Sequence, residues 1–288
     1  MKARRRVETG IHLADGKTIT MADEKSEPDL PPKIDTSVPH SARIWNYWLG
    51  GKDNYPVDAE AGDEFAKTFP GIVDAARGSR YFLARAVRHL AGRAGIRQFL
   101  DVGTGLPTVD NTHEIAQSVA PSSRIVYVDN DPLVLVHAQA LLTSTPEGAT
   151  DYIDADVREP DTILEAASRT LDFERPVGLM MLGIMGHIAD DELARSLVRR
   201  LLDALPADSY LTLSDGTDIS AARQAAHEKY NSSGAVPYHL RSPEELGHFF
   251  DGLELLEPGL VPVTQWRPDH TPFPVTPVTT YGGVGRKT

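Results

Sequence analysis

Three aspartates, Asp101, Asp129 and Asp156, lie at or near the ends of three short apolar runs, "RQFLDVG" (97–103), "RIVYVDND" (124–131) and "TDYIDADV" (150–157). Carboxylates at successive strand tips can together hold a nucleoside. Asp129 can accept two hydrogen bonds from a ribose diol, as the corresponding acid does in dinucleotide folds. Asp156 can accept from an adenine amino group, and Val157 can offer its backbone N–H to a ring nitrogen. Between the first two runs, "FLDVGTGLPT" places Gly103 and Gly105 around Thr104, a G-x-G turn that lets the backbone approach a ligand closely. The third glycine of the dinucleotide fingerprint is absent, because Thr108 stands in its place. Asp101, two residues before the first glycine, suits an ammonium group better than a pyrophosphate. Singly, each aspartate reads equally as a turn former or helix cap. Three at the same end of consecutive strands read as one pocket.

Other groups could act on a second substrate. His187, in "LGIMGHIADDE", follows a fourth apolar run and is the candidate general base for an acceptor hydroxyl or amine; a wall or capping role is the alternative. His113, in "VDNTHEIAQ", reads first as structural, and Asp215 and Asp218 read first as helix caps. Arg80 either reaches a ligand carboxylate or stays at the surface. No metal centre is expected, since Asp156, Asp215 and Asp218 are dispersed. The chain has no Cys, which excludes disulfides, cysteine metal sites and thiol nucleophiles.

The elements that must position these groups follow from periodicity. The apolar runs, continued by "VGLMMLGI" (177–184) and "SYLTLSD" (209–215), alternate with helical patterns near 109–119, 132–143, 160–171, 189–204 and 218–230. That alternation implies right-handed crossovers and a parallel sheet. The chain end breaks the rhythm: "LELLEPGLVPVTQW" (253–266) and "TYGGVGRK" (280–287) are strand-like, without a helix between them, and read as an antiparallel hairpin at a sheet edge. Before the first strand, helices are expected from Ser41, over 58–68 and over 71–92. The first groups Ile44, Tyr47 and Trp48 on one face, and the third carries Tyr81, Phe82, Val87 and Leu90 as its stripe. Residues 1–38 are rich in charge and Pro and are expected to be a disordered tail; Met21 opens "MADEKSEPD", an alternative start to Met1.

The motifs "FLDVGTGLPT", "VYVDNDP" and "DADVREP" resemble motifs I to III of class I S-adenosylmethionine-dependent methyltransferases. More narrowly, "RIWNYWLGGKDNY", "RYFLARAVRHLAGRAGIRQFLDVGTGLPT" and "HEIAQSVAPSSRIVYVDNDPLVLVHAQALL" resemble an actinobacterial family of S-adenosyl methyltransferases, formerly a domain of unknown function. The likeness spans essentially residues 40 to 288. It implies a three-layer, Rossmann-like α/β fold with a seven-stranded, mostly parallel sheet of order 3-2-1-4-5-7-6, strand 7 antiparallel. It implies S-adenosyl-L-methionine as cofactor and S-adenosyl-L-homocysteine as product. It also implies Gly103 to Gly105 beside the methionine moiety, Asp129 on the ribose, and Asp156 with Val157 at the adenine; Asp101, Asn130 and Arg80 are further candidates for the cofactor. The domain plan is then a tail (1–38), an N-terminal helical lid segment (39–95) and a cofactor-binding core (96–288).

"YWLGGKDNYPVD" (47–58) is not a phosphate loop, which needs G-x-x-x-x-G-K-[ST] between a strand and a helix. It reads instead as a helix ended by Gly50-Gly51, followed by a turn with inward aromatics. By analogy with N-terminal helices of class I methyltransferases, Tyr47 to Tyr55 is expected to form part of the lid, with Tyr47 at the cofactor.

The acceptor is expected to be a small molecule. The net charge of −12 disfavours a broad phosphate-contacting surface, and the Asn/Asp-Pro-Pro-aromatic run of base-amine methyltransferases is absent from "LGIMGHI". Arg77, Arg80, Arg85, Arg88 and Arg93 read as the basic, solvated side of a helix. No apolar run is long enough to span a bilayer, and no secretory signal follows "MKARRRVETG", so a cytoplasmic location is expected. The competing readings are a nicotinamide-dependent oxidoreductase, disfavoured by Asp101 and the missing glycine, and a regulatory protein that binds the nucleoside without catalysis.

Overall fold

The computed structural model describes residues 35–108, 110–141, 143–270 and 275–288, with only the backbone for 139–141. The expected tail up to residue 34, with its alternative start, lies outside the described residues. The helices are α1 (Ser41–Trp48), α2 (Pro56–Thr68), α3 (Ile72–Gly92), α4 (Thr112–Val119), α5 (Pro132–Leu141), α6 (Pro160–Ala167), α7 (Asp191–Asp203), α8 (Ala221–Asn231) and α9 (Pro243–Gly247). The strands are β1 (Gln98–Val102), β2 (Arg124–Asp129), β3 (Ala149–Asp154), β4 (Gly178–Leu182), β5 (Tyr210–Gly216), β6 (Leu253–Leu255), β7 (Val261–Pro262) and β8 (Thr280–Lys287).

The sheet runs β3-β2-β1-β4-β5-β8-β6, with β7 also paired to β8. β1 to β5 are parallel, and β8 is antiparallel to β5, β6 and β7. This is the expected order with one difference. The sixth strand is split in two by the turn around Pro258-Gly259, because proline cannot donate to the ladder and Gly259 has φ +92°. Strand order reverses at β1 and β4, so the cleft at their C-terminal ends is the topological switch point where such sheets bind ligands.

The central strands are buried on both faces, which is why they read as apolar runs rather than alternating ones. Successive residues serve opposite layers. Leu100, Val126, Leu179 and Leu211 pack with Ile163 of α6 and Val198 and Leu201 of α7. Phe99, Ile125 and Met180 pack on the other face with Phe82, Val87 and Leu90 of α3. Truncating one of these wholly buried leucines to alanine would cost about 2–5 kcal/mol. The expected N-terminal segment therefore divides within α3: the body of that helix packs on the sheet, while its first turns join α1 and α2 in a second cluster around Trp48, Phe65 and Phe69. Tyr81 departs from the expected stripe of α3; it is 65% exposed. Arg77, Arg88 and Arg93 are solvated as expected, but Arg85 turns inward onto the carbonyls of Val263 and Trp266.

Local chemistry sets the ends. α1 stops in a Schellman turn: Gly50 (φ +81°) donates to the Tyr47 carbonyl and Gly51 to that of Asn46, satisfying carbonyls the helix leaves open. α4 begins at Thr112 because Asn111 and Glu114 form a capping box. Asp190 and Ser220 cap α7 and α8 through their side chains. Among the described residues no helix is long and apolar enough to cross a membrane.

Candidate active site

One cleft opens over the C-terminal ends of β1 to β5 and gathers Asp101, Gly103, Thr104, Gly105, Asp129, Asn130, Asp156, Val157, Arg80 and His187. These are all the residues expected from sequence except Tyr47. That side chain points the other way: its hydroxyl donates to Asp63 of α2 at 2.6 Å. Tyr47 shares the helix face of Ile44 and Trp48, and that face is committed to α2. The residues of α1 that line the cleft are one helical step round, at Ser41, Ala42, Trp45 and Asn46, with Leu49 just beyond. Lys52 does not line the cleft. The expectation for Tyr47 is corrected accordingly.

Asp101 is buried near the end of β1. Its Oδ2 accepts from the Thr112 hydroxyl at 2.6 Å. Burial raises its pKa from the ordinary 3.8 to about 6, against the opposing pull of Thr112 and the Arg80 guanidinium. Burial therefore outweighs the pull of its neighbours on this carboxyl. Gly103 and Gly105 follow at φ +73° and +67°, a backbone that side chains rarely adopt. Gly103 and Thr104 both donate to the Val128 carbonyl, at 2.8 and 3.2 Å, which fixes the turn against β2. A Cβ on Gly105 or on Gly183 after β4 would meet nothing within 4 Å, so both backbones face open cleft.

Asp129 takes one backbone N–H on each oxygen, Asp131 on Oδ1 (3.0 Å) and Gly105 on Oδ2 (2.8 Å). Each oxygen keeps an acceptor site, which suits a diol. Burial still raises its pKa, with the two N–H bonds opposing. Asp131 in turn contacts His40, just before α1, at 2.9 Å. Burial raises the Asp131 pKa, but the His40 bond and charge outweigh it and bring it below the ordinary value.

Asp156 is more occupied than its sequence suggested. Arg158 reaches it with Nη1 at 3.1 and 3.2 Å, and Asn130 donates to it at 3.0 Å. Arg158 also donates to the His187 carbonyl at 3.1 Å, tying the β3 tip to the turn after β4. There, His187 Nδ1 lies 3.1 Å from the Pro237 carbonyl. A carbonyl only accepts, so Nδ1 carries the proton and Nε2 is left as an acceptor. Burial lowers the His187 pKa, which favours the neutral ring. His113 lies outside the cleft, its Nδ1 2.8 Å from the Tyr127 hydroxyl. Asp218 does not line the cleft either.

Asp215 does. It is buried at the end of β5, accepts from the Tyr238 hydroxyl and from the Gly186 N–H at 3.2 Å, and burial raises its pKa to about 6 despite those bonds. Tyr238 and Arg223 also line the cleft. Neither was singled out from sequence, since a lone tyrosine in a loop and an arginine in a helix carry no spacing signal. Among the described residues no group of three or more His, Asp or Glu is arranged to hold a metal ion.

The family model described as S-adenosyl methyltransferase matches residues 27–288. The chain belongs to that family. Its structure superposes on that of a DUF574 family protein from Streptomyces avermitilis MA-4680 with a TM-score of 0.85 at 48% identity, covering 89% of this chain and 100% of the other. A Thermobifida fusca YX protein, named as a candidate methyltransferase, gives a TM-score of 0.82 at 40% identity, covering 91% and 99%. No curated protein matches. The family's cofactor is S-adenosylmethionine, and the cleft has features that fit it: a buried acid at β1, an acid with two open acceptor sites at β2, and two glycine backbones facing free space.

Proposed function

We propose that this protein transfers the methyl group of S-adenosylmethionine to a small-molecule acceptor bound at the β4–β5 end of the cleft. The observation that carries this reading is the convergence of Asp101, Asp129 and Asp156 with the Gly105 and Gly183 backbones on one cleft. The cofactor, when bound, supplies an electrophilic methyl on a positively charged sulfur. Asp101 would hold the ammonium of the amino-acid moiety and Arg80 its carboxylate. Asp129 would accept from the ribose hydroxyls, with Asn130 alongside. Asp156, already oriented by Arg158, and the Val157 N–H would read the adenine.

α1 would cover the cleft as a lid, held down by His40 on Asp131 and presenting Trp45 inward. Excluding water strengthens the polar contacts inside and leaves the nucleophile less hydrated. On the acceptor side, His187 offers a neutral imidazole with Nε2 unprotonated, which can take a proton from an incoming hydroxyl or ammonium. Positioning the acceptor in line accounts for most of the remaining work.

Calorimetry with S-adenosylmethionine, S-adenosylhomocysteine and NAD tests the first half: both sulfur compounds should bind and NAD should not. Label from methyl-labelled cofactor should then pass into a small-molecule extract. NAD binding without binding of the sulfur compounds would overturn the reading, and cofactor binding with no transfer would reduce the protein to a sensor.

A further inference from the structure

Among the described residues, one guanidinium at the β5 end of the cleft forms no ion pair; it lies 5.8 Å over the Phe69 ring and feels Asp215 only at a distance. Arg223, in the first turn of α8, is 2% exposed and lines the cleft. Its Nη1 donates only to neutral oxygens, the hydroxyls of Thr279 at 2.8 Å and Thr280 at 3.0 Å. Its Nε is buried without a hydrogen-bond partner. The carboxylate of Asp215 is engaged elsewhere, by Tyr238 on one oxygen and the Gly186 N–H on the other. The second buried guanidinium nearby, Arg241, has its own acid, Asp191 at 2.8 Å, and two carbonyls.

A buried charge without a paired, hydrogen-bonded counter-ion is costly, and burial lowers the Arg223 pKa. The backbone has nonetheless been cleared for it. A Cβ on Gly216 would stand 2.1 Å from Nη2, so any other residue there would push the guanidinium away from the cleft wall.

We propose that Arg223 anchors a carboxylate on the methyl acceptor, so that the substrate is a small carboxylic acid methylated at another of its atoms. The inference rests on the methyltransferase reading above. A guanidinium presents a planar fork that matches a carboxylate, and one positive charge balances one negative. A phosphate dianion would bring a surplus charge towards Asp215. The amino-acid carboxylate of the cofactor has Arg80 at the other end of the cleft, so Arg223 is free for the acceptor.

The test uses the full-length protein saturated with S-adenosylhomocysteine and titrated with benzoate, benzamide and phenyl phosphate. Benzoate should bind at least tenfold more tightly than benzamide and more tightly than phenyl phosphate. Arg223→Gln should lose that preference while keeping its affinity for S-adenosylhomocysteine, and Arg223→Lys should restore part of it. Benzoate binding no tighter than benzamide, or a preference for it surviving in Arg223→Gln, overturns the proposal. Tighter binding of phenyl phosphate overturns the single-charge argument on which it rests. Loss of S-adenosylhomocysteine affinity in the folded Arg223→Gln variant would assign the residue to the cofactor instead. Should that variant not fold, the wild-type comparison of benzoate with benzamide decides alone. No binding of S-adenosylhomocysteine to the wild type overturns the methyltransferase reading itself, whereas its binding without benzoate overturns only this inference.

Discussion

Replacing Asp101 with asparagine removes a titrating group from the base of the cleft while keeping its size and an acceptor for the Thr112 hydroxyl. In the folded protein burial raises the Asp101 pKa from 3.8 to about 6, so the native state holds this proton more tightly than the unfolded chain does. Its contribution to stability is therefore fully present below pH 3.8 and is lost as pH rises through 6. At pH 5 the folded group is about ten-elevenths protonated, whereas at pH 8 it is ionised in both states. The difference amounts to about one pKa unit, or about 1.4 kcal/mol.

Wild-type stability should thus fall relative to Asp101→Asn by about 1.4 kcal/mol between pH 5 and pH 8. Any constant offset from the amide cancels in that comparison, as does the titration of Asp215, which both proteins share. Urea unfolding curves at pH 5, 6, 7 and 8 measure it directly through the midpoint and slope. The same variant should bind S-adenosylhomocysteine at least tenfold more weakly at pH 8, since the ammonium loses its counter-charge. A stability gap that does not change with pH would refute the claim that burial holds this proton in the folded protein. A gap that changes as expected with cofactor affinity intact would separate the electrostatics from the binding role.

Gly105→Ala should destabilise the fold by about 1–2 kcal/mol through its positive φ and weaken S-adenosylhomocysteine binding at least tenfold, because its Cβ projects into open cleft; calorimetry checks the second and urea melts the first. Trp45→Ala should weaken cofactor binding several-fold while Lys52→Ala leaves it unchanged, and equal effects of the two would remove α1 from the lid. Tyr238→Phe leaves the buried Asp215 carboxylate one donor short, at a cost of about 1–3 kcal/mol. Because that bond lowers the Asp215 pKa, its loss raises the pKa further, so the cost should be greater at pH 8 than at pH 5 in the same melts.

The cofactor end of the cleft was legible because the fold repeats one unit there. β1 and β2 are apolar runs with an acid at or next to their last residue, and β3 is followed by one, so Asp101, Asp129 and Asp156 announce themselves at regular intervals. Sequence periodicity served less well on α1. It correctly grouped Tyr47 with Ile44 and Trp48, but a shared apolar face says only that something covers it. The cover is α2, with Tyr47 bonded to Asp63, and the cleft takes the adjacent face through Trp45. The failure lay in equating burial with the ligand.

The β5 end was illegible for a different reason. Arg223, Tyr238 and Thr280 come from α8, the loop after it and β8, and meet around Asp215 only in the folded chain. No spacing along the chain encodes that meeting. What identifies the end is a mismatch visible only in three dimensions: Arg241 is matched by Asp191, Asp156 by Arg158 and Asp131 by His40, whereas the Arg223 side chain, among the described residues, bonds to hydroxyls and lies over the Phe69 ring. On the proposal above, a buried guanidinium given hydroxyls and a ring, beside an acid already bonded to Tyr238, keeps a place for an anion that the chain does not itself supply.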